Sequence, residues 1–232
     1  MSKRKGKPKN NLGRGRDKNP GTYLILIVVE GQKTEYDYLK SMKQELQLDT
    51  AKIEIVSASG GDPLKVVEKA NELYNKQKNK RYNKPNFEKV FCVFDYDNKP
   101  DKYEAALKAA RDYEFETPIT SVPCFEFWYL LHYRYTDRPF QDCDEATKEV
   151  EKELQKQGII KTGENYQKKL DLYDSLRPQL ERAIANAEKL IKRQEEESDR
   201  FPNPQTKVHI LVKYLQGQKN SIPPNSQEIG NE

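Results

Sequence analysis

The stretch LILIVVEGQKTEYDYLK, residues 24–40, decides the fold. Six apolar residues, 24–29, read as a strand buried on both faces, and a polar helix start follows Gly31. That strand finishes on a carboxylate, Glu30. A charge in such a place costs several kcal/mol unless something pairs with it. A second apolar run, KVFCVFDYDN (89–98), finishes on Asp95 and Asp97. Two buried strands that both end on acids point to one shared site.

Working outward, the spacing of Tyr36, Leu39, Met42 and Leu46 predicts a helix over 33–47. The alternating KIEIVSA (52–58) reads as strand. In GGDPLKVVEKANELYNKQ (60–77), Asp62 caps a helix and Pro63 takes its first position. Strand 89–95, helix 100–115, strand 118–122 and helix 124–135 follow, with Pro123 suited to the first turn of the last. Strand and helix alternate, which implies a mostly parallel, doubly wound α/β sheet with helices on both faces. Sites in such sheets lie at the carboxyl ends of the strands. Glu30, Asp95, Asp97 and Ser121 all fall there. Residues 140–220 read as charged helices, DEATKEVEKELQKQG and QLERAIANAEKLIKRQEEESD among them, with Thr206 the cap of a final one.

The composition bounds the function. Of 232 residues, 35% are hydrophobic and 34% charged, enough for one α/β domain and an appendage. No apolar run reaches the roughly 18 residues that span a bilayer, and 24–29 is too short and too far in for a signal peptide, so a cytoplasmic protein without a membrane partner is expected. Cys92, Cys124 and Cys143 contain no CxxC pair, so neither a disulfide framework nor a zinc site is expected. His132 and His209 are too few for a histidine metal site or a Ser-His-Asp triad, and His132 reads as a packing residue. Residues 1–20 hold eight basic side chains, Arg14 and Arg16 among them, against Asp17 alone. The tail is thus +7 and the rest −3, out of a total of +4. Such a tail is expected to be disordered when free. It is either an arm for nucleic-acid phosphates or a solvated leader.

The acids suggest the chemistry. Residues two apart at a strand end face the same side, so Asp95 and Asp97 are expected to converge with Glu30. A divalent cation turns their repulsion into binding, and all-oxygen ligands suit Mg²⁺ or Mn²⁺. Such a cation activates water and stabilises leaving oxygens in phosphodiester chemistry. A solvated DxD pair is the plain alternative. GQKT (31–34) lacks the spacing of a phosphate-binding P-loop, so the chain is not read as an ATPase. In SVPCFEFWYLLH, Glu126 falls near a helix N-terminus. It is either a further ligand or base, or a carboxylate that satisfies the helix dipole. Lys33 and Lys99 are candidates to hold a nucleic-acid backbone, and Lys33 also to stabilise transition-state charge.

VVEGQKTE and VFDYDN together resemble the Toprim-type catalytic domain, with its Glu-Gly after the first strand and DxD after the third. More narrowly, LIVVEGQKTEYDYL, VFCVFDYDN, SVPCFEFWYLLHY and NPQTKVHILVKYL resemble the RloB family of bacterial phage-defence loci over about residues 20–217. Val122 departs from the pattern, which has Asn before Pro-Cys-Phe-Glu. The resemblance implies a Toprim-like (Rossmann-like) core over 21–138; composition sets off the disordered basic tail 1–20, a helical extension over 139–218 packed on the core and a flexible end, 219–232. It implies Mg²⁺ or Mn²⁺ held by Glu30, Asp95, Asp97 and Glu126, with Glu30 as ligand or acid/base and Glu35 as a weaker candidate. It implies nuclease activity on DNA or RNA, tRNA included, and a partner ATPase of the AAA or ABC type. The helical extension is open as a dimer arm in a homo-oligomer, an ATPase dock or a substrate clamp. The alternative function is a non-catalytic subunit that binds metal with a nucleotide or nucleic acid and docks on that ATPase.

Overall fold

The computed structural model describes residues 24–48, 52–79, 85–195 and 201–219. Arg14, Arg16, the rest of the basic tail and residues 220–232 lie outside the described residues. Four β–α units open the chain: β1 (Leu24–Val29), α1 (Thr34–Glu45), β2 (Ile53–Ser57), α2 (Pro63–Lys78), β3 (Phe87–Asp95), α3 (Pro100–Asp112), β4 (Ile119–Val122) and α4 (Glu126–Tyr133). The second part holds α5 (Cys143–Lys156), the single turn α6 (Tyr173–Leu176), a 3-10 turn (Arg177–Gln179), α7 (Leu180–Gln194), β5 (Gln205–Thr206) and α8 (Val208–Lys219).

The fold is α/β, with one five-stranded sheet in the order β2-β1-β3-β4-β5. The first four strands are parallel, as the alternation of elements requires. β5 runs antiparallel to β4, with Thr206 opposite Ser121. The period of two along β1 splits its side chains between two cores. Ile25, Ile27 and Val29 join the larger core, which includes α1, α4, α5, α7 and α8. Leu26 and Val28 join the smaller one, beneath α2 and α3. Helices on both faces explain why the β1 sequence is apolar without alternation.

The start signals of α2 act as expected: the Asp62 carboxylate accepts the Leu64 N–H at 3.1 Å, and Pro63 is the first helical residue. Thr206 accepts the Val208 N–H at 3.3 Å and so caps α8 while also lying in the sheet. Pro123 differs from its expected place. It lies ahead of α4, which begins at Glu126, and its carbonyl accepts the Asp97 N–H at 3.0 Å instead of opening the helix. Cys124 and Cys143 correct the expectation drawn from cysteine spacing, for they form a disulfide. Their pairing depends on the start of α5 folding back over the β4–α4 loop, a tertiary contact that spacing along the chain does not encode. α4 is buried almost all round, from Glu126 to His132. The His132 imidazole Nδ1 lies 2.9 Å from the Trp128 carbonyl, as befits a packing residue.

Candidate metal centre

Each acid reaches the carboxyl edge of the sheet by its own route. Glu30 continues β1 by one residue, donating its N–H to the Val93 carbonyl at 3.1 Å. Its side chain is buried, and Oε2 accepts the N–H of Asp95 at 3.1 Å. Asp95 is the last residue of β3, next to β1 in the sheet. Its Oδ2 accepts the Phe125 N–H at 3.0 Å. Its Oδ1 is shielded from solvent and has no hydrogen-bond partner among the described residues. Backbone donors therefore fix one oxygen of each carboxylate and leave the other without such a tether, an arrangement that orients a ligand before anything binds.

Glu126 opens α4 and is only 1% exposed. Thr34 Oγ1 donates to its Oε1 at 3.4 Å, and Lys168 Nζ lies 3.3 Å from the same oxygen. Its Oε2 lies 3.5 Å from Cys143 Sγ. Glu35, in the first turn of α1, is buried beside them. Its carboxylate packs against Gly31 so closely that a Cβ there would stand 2.5 Å from Glu35 Oε2. The second residue of the Glu-Gly pair is thus small because of this carboxylate, not because of an unusual backbone angle.

Asp97 arrives differently from the expectation. β3 stops at Asp95, so strand alternation does not place Asp97. It sits in a turn at φ 44°, followed by Asn98 at φ 52°, in the region that Asn and Asp tolerate best among side-chain-bearing residues. Backbone bonds from Tyr96 N–H to the Ser121 carbonyl and from Asp97 N–H to the Pro123 carbonyl pin that turn to the end of β4. The Asp97 side chain is exposed and pairs with Lys99. It lies at the rim of the cleft, while buried Glu30, Glu35 and Glu126 and half-buried Asp95 form its wall. Lys33 also lines the cleft, at the mouth beside α1.

The cleft has a volume of about 310 Å³ and its electrostatics follow from crowding like charges. Burial raises the Asp95 carboxyl well above the ordinary range, and Glu35, Glu126 and Glu30 push it further. Burial likewise lifts Glu35 to about 7, with Glu126 and Glu30 adding to it. Glu30 is raised by burial, which outweighs the bond from the Asp95 N–H and the attraction of Lys99. Two lysines offset the acids in part. The hydrogen bond to Asp97 raises the Lys99 ammonium. Burial opposes the charge on Lys168, but the pull of Glu126, Asp95 and Glu35 outweighs it and raises that ammonium too.

The donor set fits a hard divalent cation. Glu30, Asp95 and Glu126 supply oxygens from three separate strand ends or helix starts, Asp95 Oδ1 lacks any partner among the described residues, and Glu35 completes the acidic wall. Lys168 and the cysteine pair were not legible as site residues. Lys168 lies in the connection between α5 and α6, remote in sequence from every motif, and no local pattern marks it. Cys124 carried a weak signal, standing two residues before Glu126.

Among the described residues, no helix is long and apolar enough to cross a membrane. No curated protein and no solved structure gives a significant match to the chain. The family model described as RloB-like protein matches residues 25–215, the stretch that holds every acid of the cleft and, but for Leu24, the five strands of the described residues. The chain therefore belongs to the RloB-like family.

Proposed function

We propose that the protein is a Toprim-like, divalent-cation-dependent nuclease that cleaves nucleic-acid phosphodiesters. The observation that carries this reading is the acidic wall of buried Glu30, Glu35 and Glu126 with half-buried Asp95, whose shielded Oδ1 lacks any partner among the described residues. Carboxylates crowded in this way are costly unless a cation joins them. Asp95, Glu30 and Glu126 would hold Mg²⁺ or Mn²⁺, with Asp97 reaching it from the rim. When bound, such an ion lowers the pKa of water and withdraws charge from the phosphodiester. The chain's own residues supply the rest. The Asp95 and Phe125 N–H groups hold the two carboxylates in place. Glu35 lines the same cleft beside these ligands and is the candidate to accept or return a proton. Lys33, Lys99 and Lys168 bring positive charge to an anionic substrate.

The family membership supports a role in anti-phage defence beside an ATPase partner, with DNA or RNA as the substrate. The test is a cleavage assay with plasmid DNA, single-stranded DNA and total tRNA in Mg²⁺, Mn²⁺ or EDTA. The expected result is metal-dependent cutting that Asp95→Asn abolishes. Metal binding by the wild type without cutting, with the partner ATPase present, would replace the enzyme with a metal-binding subunit.

A further inference from the structure

Cys124, Cys143 and Glu126 stand together at one side of the cleft, their ligating atoms all within 4.8 Å of one another. We propose that, once the disulfide is reduced, Cys124, Cys143 and Glu126 form a second metal site, specific for a thiophilic ion of the Zn²⁺ class. Nothing in the phosphodiester chemistry above uses the sulfurs, and the proposal does not depend on it.

The geometry suits a tetrahedral ion. With metal–sulfur bonds near 2.3 Å and metal–oxygen bonds near 2.1 Å, a tetrahedral centre separates a sulfur from an oxygen by about 3.6 Å. Cys143 Sγ and Glu126 Oε2 are already 3.5 Å apart. The two Cα atoms of the cysteines are 5.5 Å apart, so the backbone already presents both side chains to a single point. Two sulfurs on such an ion lie about 3.8 Å apart, a separation that side-chain rotation supplies once the S–S bond is gone. The chemistry balances with a dithiol reductant. It gives two electrons and two protons to the disulfide, becoming a disulfide itself, and the protein gains two thiols. A divalent ion then replaces the two thiol protons, which pass to solvent.

The supports of this site are local. Cys124 is buried and Cys143 half-buried, which limits water to the cleft side. Thr34 and Lys168 hold the other oxygen of Glu126, leaving Oε2 turned toward the sulfur. Three protein ligands leave a fourth position open toward the cleft. Glu126 is shared with the proposed oxygen site, so the soft ion and Mg²⁺ compete for one carboxylate. The third cysteine, Cys92, is buried in β3 in the other core and takes no part.

The experiment uses the full chain, reduced with a dithiol and freed of it under anaerobic conditions, then titrated with Co²⁺. The expected result is thiolate-to-cobalt charge-transfer absorption that saturates at one equivalent and is lost on adding Zn²⁺. Omitting the reduction abolishes it, as do Cys124→Ser and Cys143→Ser. Glu126→Gln weakens Co²⁺ binding by about tenfold or more. Cys92→Ser leaves the band unchanged. Asp95→Asn also leaves it unchanged while abolishing cleavage, which separates this site from the proposed nuclease centre. As a measure independent of the cysteine variants' folding, Zn²⁺ shields two thiols of the reduced wild type from a thiol-specific reagent. Absence of the band in the reduced wild type, its persistence in both cysteine variants, or failure of Zn²⁺ to shield thiols would overturn the proposal.

Discussion

At Gly31 the missing side chain is what lets Glu35 approach the cleft. A methyl group there would stand 2.5 Å from the Glu35 carboxylate, well inside contact distance. Gly31→Ala must therefore displace the end of the flexible Glu35 side chain, which costs little stability but moves the carboxylate. The expected outcome is a nearly unchanged midpoint in urea with a smaller rise of melting temperature on adding Mg²⁺ or Mn²⁺. An unchanged response to metal would mean that Glu35 has no part in cation binding. Glu35 also gives the protein a pH dependence of definite sign. Its carboxyl is lifted by burial from 4.5 to about 7. Between those values the native state keeps a proton that the unfolded chain has released, so stability falls as pH rises through the window. Below it both states are protonated and the contribution is flat; above it the cost is complete. In EDTA, melting temperature should decline from pH 4.5 to 7, and Glu35→Gln should flatten that decline. A wild-type curve already flat across this range would contradict the burial of an uncompensated carboxyl. Glu30 and Asp95 could be read from the sequence because each ends an apolar run, where a charge has no ordinary reason to be. The spacing of Asp97 from Asp95 suggests strand alternation, but a left-handed turn sets its position at the rim of the cleft.

At the scale of elements, the segments with strong local signals were the legible ones. α2 has Asp62 and Pro63 at its start, and both act there as expected. β5 left no such mark. Two residues cannot show a period, and their pairing with β4 comes from tertiary contacts, including the 3.1 Å approach of the Ser121 and Thr206 hydroxyls. The connection between α5 and α6 was equally silent, yet it carries Lys168 to Glu126. That lysine stands against a carboxylate only 1% exposed, though its own side chain is 62% exposed and water screens much of the pairing. Replacing it by Met leaves the acidic wall with less compensation. With screening allowed for, the expected loss is about 1 kcal/mol without metal. For a chain of this size that lowers the melting temperature by about 2–4 °C. The stabilisation by Mg²⁺ should grow in Lys168→Met, because the ion then supplies charge that the lysine had supplied. A smaller metal effect in the variant would instead make Lys168 part of the bound site's support.

For the molecule as a whole, the division at 138 between sheet and helical extension follows a change in composition but not a change of core. Phe127, Trp128 and Leu131 of α4 share one cluster with Ala146 and Val150 of α5, Ala183 and Ala187 of α7, and Leu211 and Leu215 of α8. α4 is buried almost all round because α5 and α7 cover what the sheet does not. The extension also contributes β5 to the sheet and Lys168 to the cleft. A chain cut after Arg138 would keep the parallel strands and every acid of the site, yet lose the partners of its most apolar helix. Uncovering a side chain the size of Phe, Leu or Met costs about 1.5–3 kcal/mol, and several are uncovered at once. That exceeds the roughly 5–15 kcal/mol by which a whole domain is stable once a handful are lost. The truncated chain is therefore expected to bind a hydrophobic dye and to show no cooperative unfolding transition, with or without Mg²⁺. A sharp transition from that fragment would show that the sheet forms a core of its own and that the extension is an addition to it. The same reasoning explains why the second half was hardest to read: its helices are amphipathic and charged, and their thin apolar faces gain meaning only against α4.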